Sequence, residues 1–545
     1  MENRFKLPLL AVSGGLLMTL AWPMMPMAPL MFFAFSLPLV VMEADLRRPA
    51  TQRKRWKSFF YIYLFLLVWN VGTTWWISNV HLIAGIFANL ANALLMAIPL
   101  LLTRYVYLRA GRFLGYIAFI CLWLSFEYLH LNWELTWAWL TLGNGFAFFP
   151  QWIQWYEWTG PLGGSFWVLV CAAFFTHFIL IPVLFEKKRP PTAAYVYMIL
   201  LMLFPIMYSW YLFHQYEEKG EKIEVIVVQP NIDPFNEKFE GSDRYIPKVE
   251  QVERMKSLSD SLISPSTRWV LWPETSFDTE QSLWEEEIER IPEVEELRQW
   301  VASKDNLELI TGATTFRSYG NDRDQSPPTA RHHPSVGYYD VYNSSFHIKA
   351  GHPVNIYHKS KLVPGVERMP YPAFFRFLEA LVLNLGGASG SMGTQPDREV
   401  YCHEQGHCTT PCICYESIFP EFMSEASRKG AGFISIITND GWWGNSPGHR
   451  QHAAYASLLA ISLRRDIARA ANTGISCFVD QRGLIRGQTS YWVPAVVKDQ
   501  VRLNDRLTYY AEHGDYLGKL AAFLGVLLFL SVWVKHFTRL RSIDH

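Results

Sequence analysis

The chain has 545 residues, of which 50% are hydrophobic, 15% aromatic and 18% charged, and its formal net charge is zero. That length allows two or three domains. The balanced charge gives no footing for nucleic-acid binding, and the apolar content is high for a protein that meets only water. The averages hide a division: residues 1–213 are almost wholly apolar, 214–515 are polar and mixed, and 516–545 are an apolar run with a basic tail.

In chain order the apolar parts break into eight spans, near 7–22, 27–42, 58–78, 82–103, 113–131, 163–185, 193–213 and 516–534. About 20 apolar residues cross a bilayer and about 10–14 do not. The first two spans are short, which suits a tight helical hairpin around "WPMMPMAP". A cleaved signal peptide is the alternative for the first; the second span following at once and the lack of an A-x-A site argue against it.

Charge placement orients the spans. Basic residues gather in "DLRRPATQRKRWK", at Arg104, Arg109 and Arg112, at Lys187, Lys188 and Arg189, and at Lys535, Arg539 and Arg541. The intervening loops reverse this: "SNVH" has no Lys or Arg, and 127–162 carries Glu127, Glu134 and Glu157 with no Lys or Arg. The positive-inside rule then predicts cytoplasmic termini and an extracytoplasmic 214–515 domain. Tryptophans and tyrosines crowd the long outer loop ("NWELTWAWL", "QWIQWYEWTG"), as an interfacial belt does.

From residue 222 the pattern changes. "KIEVIVVQPN", "RWVLWPET", "NLELITGATTF", "YDVYNSSFHI", "AGFISIITND" and "SCFVDQRG" read as strands. "RYIPKVEQVERMKSLSDSLI" and "GHRQHAAYASLLAISLRRDIARAAN" repeat apolar residues at helical spacing. Together they predict an α/β or α+β layer domain. "RSYGNDRDQSPPTARHHPSVG" reads as a polar surface loop, and no G-x-G-x-x-G or Walker loop supports nucleotide chemistry.

Three stretches carry chemistry. An apolar strand ends in Glu274 ("WVLWPETSF"), Lys359 and Lys361 sit in a turn-rich segment with Glu367 ("YHKSKLVPGVERMPYP"), and a strand runs into Cys414 and Glu416 ("PCICYESIFP"). Singly, the first two read as a helix-cap neighbour and a solvated basic loop, and the thiols of the third as disulfide partners, metal ligands or a reactive group. Together a carboxylate, an ammonium and a thiol at strand ends can converge at one sheet edge. A neutral thiol needs a base to become a nucleophile, and an ammonium can hold both thiolate and oxyanion. Such a set performs acyl transfer through a thioester, with no cofactor and no metal.

The ordered set "WPET", "YHKSKLVP" and "CICYES" resembles the Glu–Lys–Cys triad of the nitrilase superfamily. With eight spans around it, and "ITNDGWWG" and "RAANTGIS" downstream, the whole chain resembles the membrane-embedded branch, the apolipoprotein N-acyltransferases. The resemblance implies a nitrilase-like α-β-β-α sandwich inserted between transmembrane helices seven and eight of an eight-helix membrane domain. It implies a bacterial inner-membrane protein with that domain on the periplasmic side. Its partners would be a phospholipid acyl donor, usually phosphatidylethanolamine, and a diacylglyceryl apolipoprotein acceptor.

Carried over residue by residue, the resemblance makes Glu274 the general base, Lys359 the oxyanion holder and Cys414 the nucleophile. The Tyr415 N–H completes the oxyanion hole. Glu367 and Glu416 orient Lys359 and tune the site, and Asn439 and Trp442 line it. The family spacing to Glu367 selects Lys359 and leaves Lys361 a bystander. One departure stands out: the family reads L-V-P-F-G-E where this chain reads "LVPGVE", which points to a changed lid over the lipid site with the triad spacing kept.

Cys402 and Cys408 flank "HEQGH", a hairpin turn. In an oxidising compartment the pair favours a disulfide over free thiols; with His403 and His407 a metal site is the further alternative. Cys121, Cys171, Cys412 and Cys477 read as packing residues. Two rival functions remain: a membrane-tethered amidase or hydrolase of small amides, which would need only one span, and a catalytically silent lipid-binding scaffold, which would not need the triad.

Overall fold

The computed structural model describes residues 6–22, 25, 27–372 and 391–541. The chain divides into two compact units, Met1–Gln215 with His513–His545, and Tyr216–Glu512.

The first unit is helical: α1 (Lys6–Ala21), α2 (Ala28–Leu46, in short pieces), α3 (Arg55–Thr74), α4 (Leu82–Ala110), α5 (Arg112–Asn132), α6 (Pro161–Glu186), α7 (Thr192–Gln215) and a C-terminal helix, Tyr516–Arg541. Among the described residues seven helices, α2 to α7 and the C-terminal one, are long and apolar enough to cross a membrane, while α1 is shorter. The turn between α1 and α2 falls partly on residues 23, 24 and 26, outside the described residues.

Without water, helices associate through small residues and internal hydrogen bonds. Accordingly a Cβ on Gly72 of α3 would lie 2.2 Å from Thr19 Oγ1 of α1, so only glycine permits that approach. Buried polar groups form a chain across helices. Trp133 Nε1 donates to His130 Nδ1 at 2.9 Å, which leaves Nε2–H to donate to Asn92 Oδ1 at 2.9 Å, and Asn92 Nδ2 donates to Asn70 Oδ1 at 2.7 Å.

The second unit is built on strands. The first seven are β1 (Glu221–Gln229), β2 (Thr267–Leu271), β3 (Leu283–Trp284), β4 (Glu308–Gly320), β5 (Arg331–His333), β6 (Gly337–Ile348) and β7 (Asn355–His358). Then come β8 (Tyr401–Cys402), β9 (Cys408–Ile413), β10 (Phe433–Thr438), β11 (Asp466–Ala471), β12 (Cys477–Val479), β13 (Ile485–Arg486) and β14 (Ala495–Leu503). One sheet runs β14-β1-β2-β4-β6-β5, with β3 on β4 and β7 on β6; the other runs β13-β12-β11-β10-β9-β8. The six strands read from the sequence are β1, β2, β4, β6, β10 and β12.

Side-chain alternation makes the layers. Ile223, Val225 and Val227 of β1 join Trp269, Leu271, Phe433, Ile437, Ala468 and Ala470 in a core between the two sheets. The other face of the first sheet, with Ile226 and Val228, packs on Met255 of α8 (Lys248–Asp260) and on Val294, Leu297 and Val301 of α9 (Pro292–Ala302). The other face of the second sheet, with Ile434, Ile436 and Ile467, packs on Met423 of α10 (Pro420–Arg428) and on Ala456, Leu459, Ala460 and Leu463 of α11 (Pro447–Leu463). The order is helices, sheet, sheet, helices.

Two expectations need correction. The helical reading of "GHRQHAAYASLLAISLRRDIARAAN" stops at Leu463: Arg464 has φ +48°, and Asp466–Ala471 is the strand β11, paired with β10 and β12. Small alanines there fit either period, and pairing with two neighbours decided for strand. The expected surface loop at 317–337 begins as β4 and contains β5, which pairs with β6.

Candidate active site

β2 and β4 are parallel, β4 and β6 antiparallel, and β6 and β7 antiparallel, so β2 and β7 end at the same edge of their sheet. Glu274 follows β2 and Lys359 follows β7 directly; Cys414 follows β9 of the second sheet. All are buried, with Glu274 at 7% exposure, Lys359 at 1% and Cys414 at 9%.

The Glu274 segment wraps around Gly312 of β4. Gly312 donates to Pro273 O at 3.0 Å and accepts from Phe277 N at 2.9 Å, and Thr275 sits at φ +48°. A Cβ on Gly312 would lie 2.4 Å from Thr275 N and 2.6 Å from Glu274 Cα, both backbone atoms that cannot swing aside. Gly312→Ala should therefore destabilise the protein by about 1–3 kcal/mol and displace Glu274. Thermal unfolding and the rate of Cys414 alkylation by iodoacetamide, measured together, check this; unchanged alkylation would show that the turn tolerates the shift.

Lys359 Nζ donates to Glu274 Oε1 at 3.1 Å and to Glu367 Oε1 at 2.8 Å. Glu274 Oε2 accepts from Asn439 N at 3.0 Å, and Glu367 Oε2 accepts from Val363 N at 2.8 Å. Burial acts to lower the Lys359 pKa, but the charges of Glu274 and Glu367 outweigh it and hold the ammonium well above the ordinary range. In "LVPGVE" the turn uses Gly365 at φ +80°, a conformation glycine takes without strain, and so returns Glu367 to Lys359 despite the shifted glycine.

Cys414 opens a one-turn helix, Cys414–Ile418, at φ +52°. Burial pushes its thiol well above the ordinary value; Glu274 and Asp440 add to the rise, while Lys359 and a Thr438 hydroxyl hydrogen bond work against it. The resting group is thus a thiol. A carboxylate in the same site can take its proton as a bond forms, and the neighbouring ammonium can hold an oxyanion.

Residues 14–174 match the model of the apolipoprotein N-acyltransferase N-terminal domain, and residues 241–508 match that of carbon-nitrogen hydrolase. An apolipoprotein N-acyltransferase of Chlorobaculum tepidum is 32% identical over 531 residues, covering 94% of this chain and 94% of its own. This chain belongs to the apolipoprotein N-acyltransferase family. A second relative with that name, from Geobacter metallireducens, is 27% identical over 93% of this chain and 91% of its own. The crystal structure of Saccharomyces cerevisiae Nit3, a member of branch 10 of the nitrilase superfamily, aligns with 52% of this chain and 93% of its own at a TM-score of 0.34 and 15% identity.

In this N-acyltransferase family member Glu416 binds the backbone beside Lys359. It makes no contact with the Lys359 amine among the described residues. Its Oε1 accepts from Ser360 N at 2.8 Å and Tyr357 Oη at 2.7 Å, and its Oε2 accepts from Ile413 N at 2.8 Å. One carboxylate thereby ties the backbone beside Lys359 to the backbone beside Cys414. Lys361 lies over the Phe419 and Phe422 rings, 4.9 and 5.5 Å from their centroids.

Tyr415 is buried, its ring edge-on to Phe419 at 5.1 Å. Asn439 Oδ1 accepts from Gly441 N at 3.2 Å, and half-buried Trp442 meets Phe235 edge-on at 5.1 Å. Sequence reasoning missed Asn343, whose Nδ2 donates to both carboxylates, to Glu274 Oε1 at 2.8 Å and to Glu367 Oε1 at 3.2 Å. Its signal was a polar residue inside a strand buried along most of its length. Lys238 was missed too: it donates to Thr275 Oγ1 beside Glu274, and burial lowers its pKa to about 8 against the pull of Glu274 and Asp278.

The hairpin β8–β9 pairs Cys402 with Cys408 across the strands, and a disulfide joins them. His403 Nε2 bonds to Asn306 O at 2.9 Å, and among the described residues no group of three or more His, Cys, Asp or Glu is placed to hold a metal. Cys412 and Cys477 are buried against the outer helices, and Cys121 and Cys171 lie buried in the helical unit.

Proposed function

We propose that this chain N-acylates the α-amino group of the N-terminal diacylglyceryl-cysteine of apolipoproteins, with a phospholipid as donor, by a ping-pong thioester mechanism. The observation that carries it is the buried site that holds the Glu274–Lys359 ion pair and the Cys414 thiol, in a chain whose apolar part matches the N-acyltransferase N-terminal domain and whose polar part matches carbon-nitrogen hydrolase. Glu274 is the general base, Cys414 the nucleophile and Lys359 the oxyanion holder, with the Tyr415 N–H as second donor. Glu367 and Asn343 hold Lys359 and Glu274 in register, Glu416 joins the two strand ends, and Asn439 and Trp442 line the substrate side.

As Cys414 sulfur bonds to the ester carbonyl carbon, Glu274 takes the thiol proton. The oxyanion then collapses, the carbon–oxygen bond to glycerol breaks, and Glu274 gives its proton to the departing lysophospholipid oxygen. In the second half the lipoprotein amine bonds to the thioester carbon as Glu274 takes a proton from it; the carbon–sulfur bond then breaks and Glu274 returns that proton to sulfur, leaving the amide and the free Cys414 thiol. Exposing an acyl chain to water would cost about 0.8 kcal/mol per CH₂, so donor and acceptor both belong at a membrane. We infer eight spans, with domain limits 1–213, 214–515 and 516–545 and the catalytic domain between spans seven and eight. The protein then lies in the bacterial inner membrane with both termini cytoplasmic, the domain periplasmic, and phosphatidylethanolamine as the donor.

The test is incubation with phospholipid and no acceptor. One hydroxylamine-sensitive acyl group should appear on Cys414 with release of lysophospholipid, and Cys414→Ala should give neither. Acyl transfer persisting in Cys414→Ala would overturn the reading, as would ammonia release from small amides with no acyl-enzyme from phospholipid.

A further inference from the structure

Behind the nucleophile lies a charged cluster that the reaction above does not use. Asp440 follows the end of β10, His452 sits on α11 and Arg469 on β11, each at 1% exposure or less. Asp440 Oδ2 accepts from Arg469 Nη2 at 2.8 Å, and Oδ1 accepts from Thr438 Oγ1 at 3.0 Å. Burial works to raise the Asp440 pKa, but Arg469 and His452 outweigh it and keep the carboxylate ionised.

The imidazole of His452 spans from this anion to the nucleophile. Nδ1 lies 2.9 Å from Asp440 Oδ1 and 3.1 Å from Arg469 Nη2. Nε2 lies 3.2 Å from the Cys414 carbonyl oxygen and 3.0 Å from Ser417 Oγ, which itself donates to that carbonyl at 2.8 Å. Cys414 meanwhile holds φ +52°, a left-handed conformation that is strained for a residue with a Cβ. Such strain persists only where the surroundings over-determine it.

We propose that His452 is a positioning residue for the nucleophile: with both ring nitrogens protonated, its Nε2–H holds the Cys414 carbonyl, and so the left-handed backbone that puts the thiol in the site of Glu274 and Lys359, while Asp440 accepts from Nδ1–H and fixes the ring. The proposal rests on the thioester reading for its activity readout. The competing role is purely structural, with His452 serving only as a partner of buried Asp440.

Two substitutions separate these roles. Glutamine can place an amide N–H where Nε2 stands, and asparagine can place one where Nδ1 stands. His452→Gln should keep the Cys414 acylation rate at saturating phospholipid within about threefold of the parent. His452→Asn should lose about 10²-fold, the effect of a misplacement near 1 Å, with half-saturation and Tm unchanged. Retention in both, loss in both, or the reverse order overturns the proposal. Should a His452 variant fail to fold, Ser417→Ala decides, since it removes the other tie to the same carbonyl and leaves Asp440 untouched. Acylation there should fall about tenfold with Tm kept, and unchanged acylation overturns the proposal. Alkylation of Cys414 by iodoacetamide needs no lipid. If the parent protein forms no acyl-enzyme, the thioester reading fails, and the same order of variants in alkylation rate still scores His452.

Discussion

Lys359→Met should destabilise the protein by about 3–5 kcal/mol and slow acylation of Cys414 by about 10²–10³. The stability loss follows from what the ammonium touches. Glu274 and Glu367 both accept from it, at 3.1 and 2.8 Å, and both are buried. Removing one member of a buried ion pair leaves the other desolvated and uncompensated, which costs about 3–5 kcal/mol. The rate loss follows from the missing oxyanion donor. It is deepened because Lys359 is the cation that pulls the Cys414 pKa down against burial. The pH dependence has a definite sign. The folded-state pKa of Lys359 lies above its unfolded value, so its stabilisation is complete below about pH 10.4 and is lost only as pH rises through the raised folded value. The gap in Tm between parent and variant should stay constant from about pH 6 to 9. A gap that closes in that range, or acylation within tenfold of the parent, would place the important cation elsewhere.

Glu274→Gln should separate two properties of the thiol that usually move together. Acylation by phospholipid should fall by about 10²–10⁴, the range for loss of a positioned general base. Alkylation by iodoacetamide should instead shift to lower pH, because the Glu274 charge raises the Cys414 pKa and the amide does not. The fold should survive with a modest loss. A glutamine carbonyl can still accept from Lys359 and Asn343, while its NH₂ meets the Asn439 N–H that the second carboxylate oxygen accepts in the parent at 3.0 Å. One such mismatched buried donor costs about 1–3 kcal/mol. Rate profiles against pH for both reagents check this. A parallel fall in acylation and alkylation would mean that Glu274 holds the loop rather than taking the proton.

Much of the candidate site was legible because its members sit at recognisable local breaks. Glu274 and Cys414 stand where apolar strand runs stop, and Lys359 follows four strand residues. Family spacing selects Lys359 over Lys361, and the two lysines have different surroundings. Lys359 reaches two carboxylates, while Lys361 lies over the Phe419 and Phe422 rings. The contacts of Glu416 were not legible. Its bonds to Ser360 and Tyr357 cross 56 and 59 residues of chain, and no local pattern encodes such a tie.

By itself the sequence determined the division into apolar helices and a layered α/β unit, and the residue types at the strand ends. These follow from hydrophobic period and from where it breaks, which are local properties of the chain. Only the tertiary structure decided that Asp466–Ala471 is a strand, that Asn343 joins Glu274 to Glu367, and that Cys414 adopts a left-handed backbone beside His452. The alanines of β11 fit two periods until β10 and β12 pair with them. The contacts of Glu274 span 69 residues to Asn343, 85 to Lys359 and 165 to Asn439, so they exist only once both sheets have closed on their common core.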